Sequence, residues 1–356
     1  METTLKELTT RLRDGNGLEL EAIDTAVSAL AAEEVDPMIK GGFLTALHEK
    51  GETAEEIAGF AESFLKRARD PGVQIGKLAE EAIDFVGTGG DRSGAFNIST
   101  TVSFILASAG VRVLKHGNRG ATSLTGSADL LEVVGYPLET DPGFIEDALE
   151  NLNFAYLFAR AYHPAFKAIV PVRMALAEKG IRTVFNLLGP LINPGRPRHQ
   201  VMGVYAEDLV EPIAGALQDL GIRRGLVVHG RIAGGKALDK FTTAGRSHVR
   251  GVGELEDLVA TWMPDDFGLE QCRLADLQGG DAEANLALLN DFLEGRANPG
   301  LTGTLYLNAG AGFWVMNRTD SLEEGIEMAR EQVESGRTKA WLEKARAYFE
   351  EASSGG

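Results

Sequence analysis

The chain has 356 residues, 44% of them hydrophobic, which is enough for one large domain or two moderate ones with buried cores. Its formal net charge of −17 argues against a general nucleic-acid-binding surface, so we expect no nucleic-acid partner. A single cysteine excludes an intrachain disulfide framework, and the sequence shows neither a secretory signal nor an apolar run of the roughly 20 residues that span a membrane, so we expect a cytoplasmic protein.

The N-terminal part of the chain predicts helices only. Thr53-Ala54-Glu55-Glu56 has the pattern of a capping box, and Asp36-Pro37 pairs a cap with a proline at the first helical position. Asp70-Pro71-Gly72 then interrupts the pattern. We therefore expect residues 1–72 to form a small helical-bundle domain, with four helices near 3–13, 20–32, 38–47 and 53–66.

From Ala82 onward, short apolar runs alternate with helical patterns. This alternation is typical of a mainly parallel sheet wrapped by helices, so we expect residues 73–356 to form a large α/β domain. The predicted strands are 83–86, 111–114, 154–158, 201–204 and 226–228, and the predicted helices between them are 99–109, 128–134, 143–152 and 209–220. Residues 249–262 predict further β-structure.

A glycine-rich turn follows the first predicted strand. The sequence Gly87-Thr88-Gly89-Gly90-Asp91 leads into Asn97-Ile98-Ser99-Thr100, where a capped helix is expected to begin. Glycine lets backbone N–H groups approach a ligand closely, and a helix start adds unpaired donors and partial positive charge. The pattern predicts a cradle for a phosphate or diphosphate, although a plain tight turn with a helix cap would have similar residues.

A second donor-rich loop follows the next predicted strand. Lys115-His116-Gly117-Asn118-Arg119 leads to hydroxyl residues that include Ser123 and Ser127, and then to a helix. In parallel α/β sheets, ligands bind outside the carboxyl ends of the strands. The two loops are therefore expected to face one crevice, where Lys115 would supply a point charge for a phosphate.

Arg173 lies among apolar neighbours on a predicted helix that ends near Lys179. A buried guanidinium needs a partner, because an unpaired buried charge is unfavourable. The pattern leaves two interpretations open: an ion pair with one of the many acidic residues, or a clamp for a ligand carboxylate.

The two loops, together with the segment from Arg182 to Pro194, resemble the signature loops of the anthranilate phosphoribosyltransferase family. The resemblance runs in order from the N-terminal helices to about Gly268 and is weaker beyond. It implies a helical domain, joined by helices from about 164–190, that packs over the cleft of an α/β domain and carries a homodimer contact. It also implies transfer of the phosphoribosyl group from phosphoribosyl pyrophosphate to anthranilate, a step of tryptophan biosynthesis, with Mg²⁺ on the diphosphate.

The resemblance also implies roles for individual residues. Ser99 and Asp239 would be Mg²⁺ ligands, and Asn118 and Arg173, with the Gly87 backbone, would bind anthranilate. No residue would need to act as a strong base, since the amine is already nucleophilic. The full set of expected substrate-binding residues is Gly87, Gly90, Asp91, Asn97, Ser99, Thr100, Lys115, His116, Gly117, Asn118, Ser123, Ser127 and Arg173.

Three positions depart from the family pattern. Lys240 stands where the family has a glutamate that binds magnesium, Ala95 replaces a threonine, and the stretch between Arg173 and Gly180 is longer than usual. A charged lysine cannot ligate magnesium. Lys240 could replace a metal ion, could mark a site that no longer uses the usual substrates, or could point to solvent. The alternatives for function are a pentosyl transferase with another acceptor and a non-catalytic relative that binds ligands or nucleic acid.

Overall fold

The computed structural model describes residues 1–120 and 124–354. Its α-helices are α1 (Glu2–Arg13), α2 (Leu20–Ala31), α3 (Pro37–Lys50), α4 (Ala54–Leu65), α5 (Val73–Ala79), α6 (Ile98–Ser108), α7 (Ser127–Val134), α8 (Pro142–Leu152), α9 (Ala159–Tyr162), α10 (Val170–Glu178), α11 (Phe185–Leu188), α12 (Val210–Asp219), α13 (Ala282–Leu293), α14 (Pro299–Val315), α15 (Leu322–Glu334) and α16 (Arg337–Ser354). Its strands are β1 (Ala82–Gly87), β2 (Arg112–Gly117), β3 (Phe154–Phe158), β4 (His199–Gly203), β5 (Arg224–Ile232), β6 (Lys236–Leu238), β7 (Gly245–Gly253) and β8 (Val259–Trp262).

The strands form one sheet in the order β3-β2-β1-β4-β5-β7-β8, with β6 paired to β5. Strands β1 to β5 pair with one another in parallel, whereas β6 and β7 pair with β5, and β8 with β7, in antiparallel fashion. The prediction of a small helical bundle followed by a mainly parallel α/β sheet is confirmed. Because parallel strands end at the same edge, the loops after β1, β2 and β4 meet there.

Successive residues of the strands place their side chains in two different hydrophobic cores. Phe85 of β1 and Val201 of β4 belong to the core beneath α6 and α14. Val86 and Met202, the next residue in each strand, belong to the core shared with α1 to α4, α10 and α12. This alternation follows from the two-residue period of a strand, and it places the helical bundle against one face of the sheet.

The bundle is formed by amphipathic helices, and side-chain caps mark the N-termini of α3 and α4. The capping box at Thr53 and Glu56 is present, and the Asp36 side chain accepts a hydrogen bond from the backbone N–H of Met38. Helix α3 packs on α1 and α10, and α4 packs on α2 and α12. The segment around α10 and α11 therefore shares its core with the N-terminal helices, although about 100 residues separate them in sequence.

The structure corrects several predicted boundaries. The predicted loop at Lys115-His116-Gly117 is part of β2, because these three residues pair with β3. The helix predicted up to Lys179 is two elements, a 3₁₀ turn at Pro164–Phe166 and α10. Helix α5 was not predicted, since only seven residues form it and it begins directly after the break at Gly72.

Candidate active site

The carboxyl ends of three adjacent parallel strands form the floor of the site. Strand β1 ends at Gly87 and β4 at Gly203, and these two glycines are register partners. Strand β2 ends at Gly117, and its first residue is the partner of the first residue of β1. The loops that carry the two predicted ligand-binding motifs thus leave the sheet side by side.

A segment from a distant part of the chain lies over this floor. After β6, the carboxylate of Asp239 accepts a hydrogen bond from the backbone N–H of Gly89 at 2.6 Å through Oδ2. Its other oxygen, Oδ1, lies 2.6 Å from the Nζ atom of Lys240. A Cβ atom at Gly87 would collide with both side chains, so the glycine permits this approach.

Lys240 is buried, with 8% of its surface exposed. The interpretation that this side chain points to solvent is therefore wrong. Its ammonium also donates to the backbone carbonyl of Asp239 at 2.8 Å. Burial raises the pKa of the Asp239 carboxyl to about 6, against the opposing influence of the Lys240 charge.

Tertiary contacts hold the glycine turn in place. Gly89 and Gly90 have positive φ angles of 67° and 75°, which glycine adopts without strain. The guanidinium of Arg182 donates to the carbonyl of Gly90 at 3.0 Å and lies 3.7 Å from the centroid of the Tyr205 ring. The Asp91 carboxylate accepts from the backbone N–H of Asp239 at 3.1 Å. The turn is consequently attached to two distant parts of the chain, at Arg182 and at Asp239.

Helix α6 begins beside this turn without the expected side-chain cap. The side chain of Asn97 makes no capping bond; instead its amide donates to the carbonyl of Gly126 at 3.2 Å, and its Oδ1 accepts from Asn285 at 2.7 Å. Among the described residues, the backbone N–H groups of Ser99 and Thr100 have no acceptor. The prediction of a capped start is wrong, and the free donors are those that an anion would use.

The two hydroxyl groups at this helix start differ in exposure. Ser99 is half-buried, and within the described chain its hydroxyl has no hydrogen-bond partner. Thr100 is 1% exposed, and its Oγ1 also has no partner in the described part of the chain. Ser99 is therefore the more accessible of the two for a ligand.

Lys115 extends beneath the floor of the site. It is 1% exposed, and its Nζ atom donates to the carbonyl of Phe85 at 2.5 Å. Burial lowers the pKa of this ammonium to about 8 and raises that of the nearby Asp84 carboxyl to about 6. Asp84 in turn accepts from the side-chain amide of Asn193 at 3.0 Å. A buried polar cluster thus links β1, β2 and the segment before β4.

The other residues of the β2 motif line the same edge. The Nδ1 atom of His116 lies 3.2 Å from the carbonyl oxygen of Gly189, and burial lowers the histidine pKa well below its usual range. A Cβ atom at Gly117 would collide with Ser127, whose hydroxyl lies 3.0 Å from the Tyr156 hydroxyl. The side-chain oxygen of Asn118 accepts from the N–H of the next residue. The expected phosphate contact at Ser123 falls outside the described residues.

Arg173 has no carboxylate partner within residues 1–120 and 124–354, so the ion-pair interpretation is not supported. Its guanidinium lies 5.5 Å from the centroid of the Phe185 ring, and burial lowers its pKa. A series of ring contacts then leads to the β2 motif. Phe185 contacts Phe166, Phe166 contacts His163, and His163 contacts His116, with centroid distances of 5.3, 5.7 and 5.2 Å.

Few side chains at this site could bind a metal ion. The described residues contain no group of three histidine, cysteine or acidic side chains that could hold one. Both carboxylate oxygens of Asp239 already accept hydrogen bonds, from Gly89 and Lys240. The unpaired hydroxyl of Ser99 fits Mg²⁺ that is bound mainly by substrate phosphates and water. The residues do not fit an ion that needs two adjacent carboxylates.

Reasoning from sequence overlooked several residues that support the site. Asn285 and Tyr205 lie far from the motifs in sequence, and no local pattern indicates their contacts. Asp84 gave a signal, since it is an acidic residue inside an apolar strand. The supporting residues not predicted are Asp84, His163, Arg182, Asn193, Tyr205 and Asn285.

Comparison with known families matches two adjacent segments of the chain. The helical bundle domain of a glycosyl transferase family matches residues 6–68, and the a/b domain of that family matches residues 79–339. In the described residues, no helix is both long enough and apolar enough to cross a membrane.

Individual relatives match over almost the full chain. Anthranilate phosphoribosyltransferase from Petrotoga mobilis is 41% identical over 333 residues, covering 93% of this chain and 92% of the relative. The crystal structure of the Thermus thermophilus enzyme of that name superimposes with a TM-score of 0.85 at 40% identity, covering 96% of this chain and 99% of that one. A Saccharomyces cerevisiae structure in complex with PRPP and Mg has a TM-score of 0.84 at 24% identity, covering 99% of both chains, and shares the fold.

Proposed function

The chain belongs to the family of anthranilate phosphoribosyltransferases, and on this premise we propose that it transfers the phosphoribosyl group of phosphoribosyl pyrophosphate to anthranilate. The products are phosphoribosyl-anthranilate and diphosphate. The observation that carries the proposal is the meeting of the two glycine loops at the ends of β1 and β2 with uncapped amides at the start of α6.

These loops would bind the phosphoribosyl donor. The N–H groups of Ser99 and Thr100 and the partial positive charge of α6 suit a diphosphate. Gly87, Gly90 and Asp91 would border the ribose and diphosphate, and Asn97 would hold its position through Asn285. Gly117, Ser123 and Ser127 are proposed as the remaining contacts to the donor, whereas Lys115 and His116 are buried, and we propose that they support it from beneath, Lys115 through its charge.

Anthranilate would bind between the β2 motif and α10. The Arg173 guanidinium lacks a carboxylate partner in the described chain and can form two parallel hydrogen bonds with the anthranilate carboxylate. Asn118 would contact the same substrate from the end of β2. This arrangement places a recognition group for the acceptor on the helical side of the site and the donor on the sheet side.

Mg²⁺ is proposed to accompany the donor. The Saccharomyces cerevisiae relative was determined with PRPP and Mg. In this chain the Ser99 hydroxyl would contribute to such a site together with phosphate oxygens, whereas the carboxylate of Asp239 is already engaged. When bound, the ion would neutralise charge on the diphosphate.

The reaction requires placement and electrostatic stabilisation. The lone pair of the anthranilate amine forms the new bond to C1′, the bond from C1′ to the diphosphate oxygen breaks, and its electron pair leaves with the diphosphate. The amine nitrogen then releases one proton to the departing diphosphate or to water. The α6 amides and the lysine charges would stabilise the negative charge that grows on the leaving group. Arg173 would aim the amine at C1′, and the helical bundle would limit access of water to the cationic ribose.

We further propose that the protein is a homodimer that contacts its copy through the helical bundle, and that it acts in the cytoplasm. The proposed domains are 1–72, joined by helices from about 164–190, and 73–356. Large apolar side chains are exposed on the bundle side, with Met38 at 83% and Met174 at 61%. Light scattering after size-exclusion chromatography would test the dimer, which a mass of one chain would contradict.

The direct test of function is turnover of phosphoribosyl pyrophosphate with anthranilate, followed by the loss of anthranilate fluorescence, with and without Mg²⁺. We expect product formation that depends on both substrates. Consumption of phosphoribosyl pyrophosphate with a different aromatic amine, but not with anthranilate, would instead favour the alternative of another acceptor.

A further inference from the structure

We propose that the Lys240 ammonium is a fixed cation of the donor site, which contacts the diphosphate of phosphoribosyl pyrophosphate in the place of a bound metal ion. This inference rests on the proposed function and specifies how its donor site is built. Its basis is the position, the partners and the rigid surroundings of the Lys240 side chain.

The Lys240 ammonium lies at the end of β1, directly against the glycine turn. Lys240 Nζ and the Asp239 carboxylate are both so close to Gly87 that a Cβ atom there would collide with them. The turn that follows Gly87 carries the N–H of Gly89, which already donates to Asp239. An anion that binds to this turn would therefore lie next to the ammonium.

One N–H group of the Lys240 ammonium remains for a ligand. An ammonium has three N–H donors. In the described chain, Lys240 uses its donors only on Asp239, on Oδ1 at 2.6 Å and on the backbone carbonyl at 2.8 Å. Because Nζ lies close to Gly87, its remaining N–H is beside the glycine turn.

The backbone around Lys240 is held firmly. The carbonyl of Phe241 accepts from the Asn308 side chain at 2.8 Å, and the N–H of Phe241 donates to the same side chain at 3.2 Å. The N–H of Thr242 donates to the Ser247 hydroxyl at 3.2 Å. A cation on such a rigid segment is preorganised, so little free energy is needed to orient it for an anionic ligand.

The Lys240 ammonium next to Asp239 disfavours a second metal ion at this point. A metal ion at Asp239 would have to share its carboxylate oxygens with Gly89 and Lys240, since each oxygen already accepts a hydrogen bond. A divalent ion at this point would also lie beside the ammonium and be repelled by it. The lysine instead supplies one positive charge that does not depend on the metal concentration.

The test measures binding of phosphoribosyl pyrophosphate by isothermal titration calorimetry, in EDTA and in saturating Mg²⁺. The proteins are the wild type, Lys240→Met, which keeps the stem but removes the charge, Lys240→Arg, which keeps the charge, and Lys240→Glu. Thermal unfolding of each variant shows that it is folded. We expect Lys240→Met to weaken binding in EDTA by about tenfold to hundredfold, the range of a charge-assisted hydrogen bond, and Lys240→Arg to retain much of it.

In Lys240→Glu, we expect donor binding only with Mg²⁺, and equilibrium dialysis should find more Mg²⁺ per bound donor than in the wild type. Equal affinities of the wild type and Lys240→Met in EDTA would overturn the proposal and leave the function intact, because the pair with Asp239 would then be structural. Donor binding by none of the proteins, with or without Mg²⁺, would overturn the proposed function and this inference together.

Discussion

The side-chain amide of Asn285, on α13, donates a hydrogen bond to Oδ1 of Asn97, at the start of α6, at 2.7 Å. The Oδ1 atom of Asn285 accepts from the N–H of Gly280 at 2.7 Å, so both ends of its side chain are bonded. Asn97 is thereby turned away from the capping position, and within the described residues the N–H groups of Ser99 and Thr100 have no acceptor. A residue 188 positions away in sequence thus determines how the helix start faces the site.

The first prediction concerns this contact. Asn285→Ala removes both hydrogen bonds from a side chain that is 2% exposed, and we expect the free energy of unfolding to fall by about 1–3 kcal/mol. Because Asn97 is then free to cap α6, the KM for phosphoribosyl pyrophosphate should rise by about tenfold. Urea denaturation and initial-rate kinetics measure the two effects. The control is Asn290→Ala, an exposed position on the same helix, and an unchanged KM in Asn285→Ala would contradict the role of Asn97.

The second prediction concerns recognition of the acceptor. Arg173→Gln removes the charge that would pair with the anthranilate carboxylate, and we expect kcat/KM for anthranilate to fall by about a hundredfold. Aniline lacks the carboxylate, so its slow reaction should change little in the same variant. Lys179→Gln, an exposed cation just after α10, is the matched control. If kcat/KM fell by the same factor with both amines, Arg173 would stabilise α10 rather than bind the carboxylate.

The third prediction concerns the close approach at the end of β1. Gly87→Ala places a methyl group against Asp239 and Lys240, and we expect it to displace them, to lower the free energy of unfolding by about 1–3 kcal/mol and to abolish tight donor binding. Gly76→Ala, in α5, is the control, since a Cβ atom there meets nothing within 4 Å. Calorimetry with phosphoribosyl pyrophosphate measures the binding. Donor affinity equal to that of the wild type would show that the site tolerates the methyl group.

The fourth prediction concerns pH. Burial lowers the pKa of His163 from 6.5 to about 4, so the unfolded chain binds the proton more readily than the folded one. The stability contributed by neutral His163 is therefore complete above pH 6.5 and is lost as the pH falls from 6.5 toward 4. Between pH 7.5 and 5.5 we expect the wild type to lose about 1 kcal/mol more than His163→Gln.

Urea denaturation of both proteins at the two pH values measures this difference. The variant serves as the reference because Asp84 and Asp239 also titrate in this range. Their raised pKa values increase the free energy of unfolding as the pH falls, and they do so in both proteins. A parallel loss of stability in the wild type and the variant would exclude titration of His163 as the cause.

The sequence by itself was sufficient for most of the elements and for the family. Local patterns such as the capping box at Thr53 and the apolar run of β3 depend on neighbouring residues only, and the structure has both. The glycine turn at 87–90 was also visible, because the positive φ angles at Gly89 and Gly90 restrict the residue type at these two positions.

The tertiary structure alone decided which groups in the site are free and which are already paired. Asn97 contacts Asn285 rather than capping its own helix, and Lys240 faces Asp239 and Gly87 rather than solvent. These outcomes depend on segments about 150 to 190 residues apart that the sheet brings to one edge. Local sequence patterns carry no information about such contacts. A buried polar or charged group needs a partner, and the fold determines which group is close enough to be that partner.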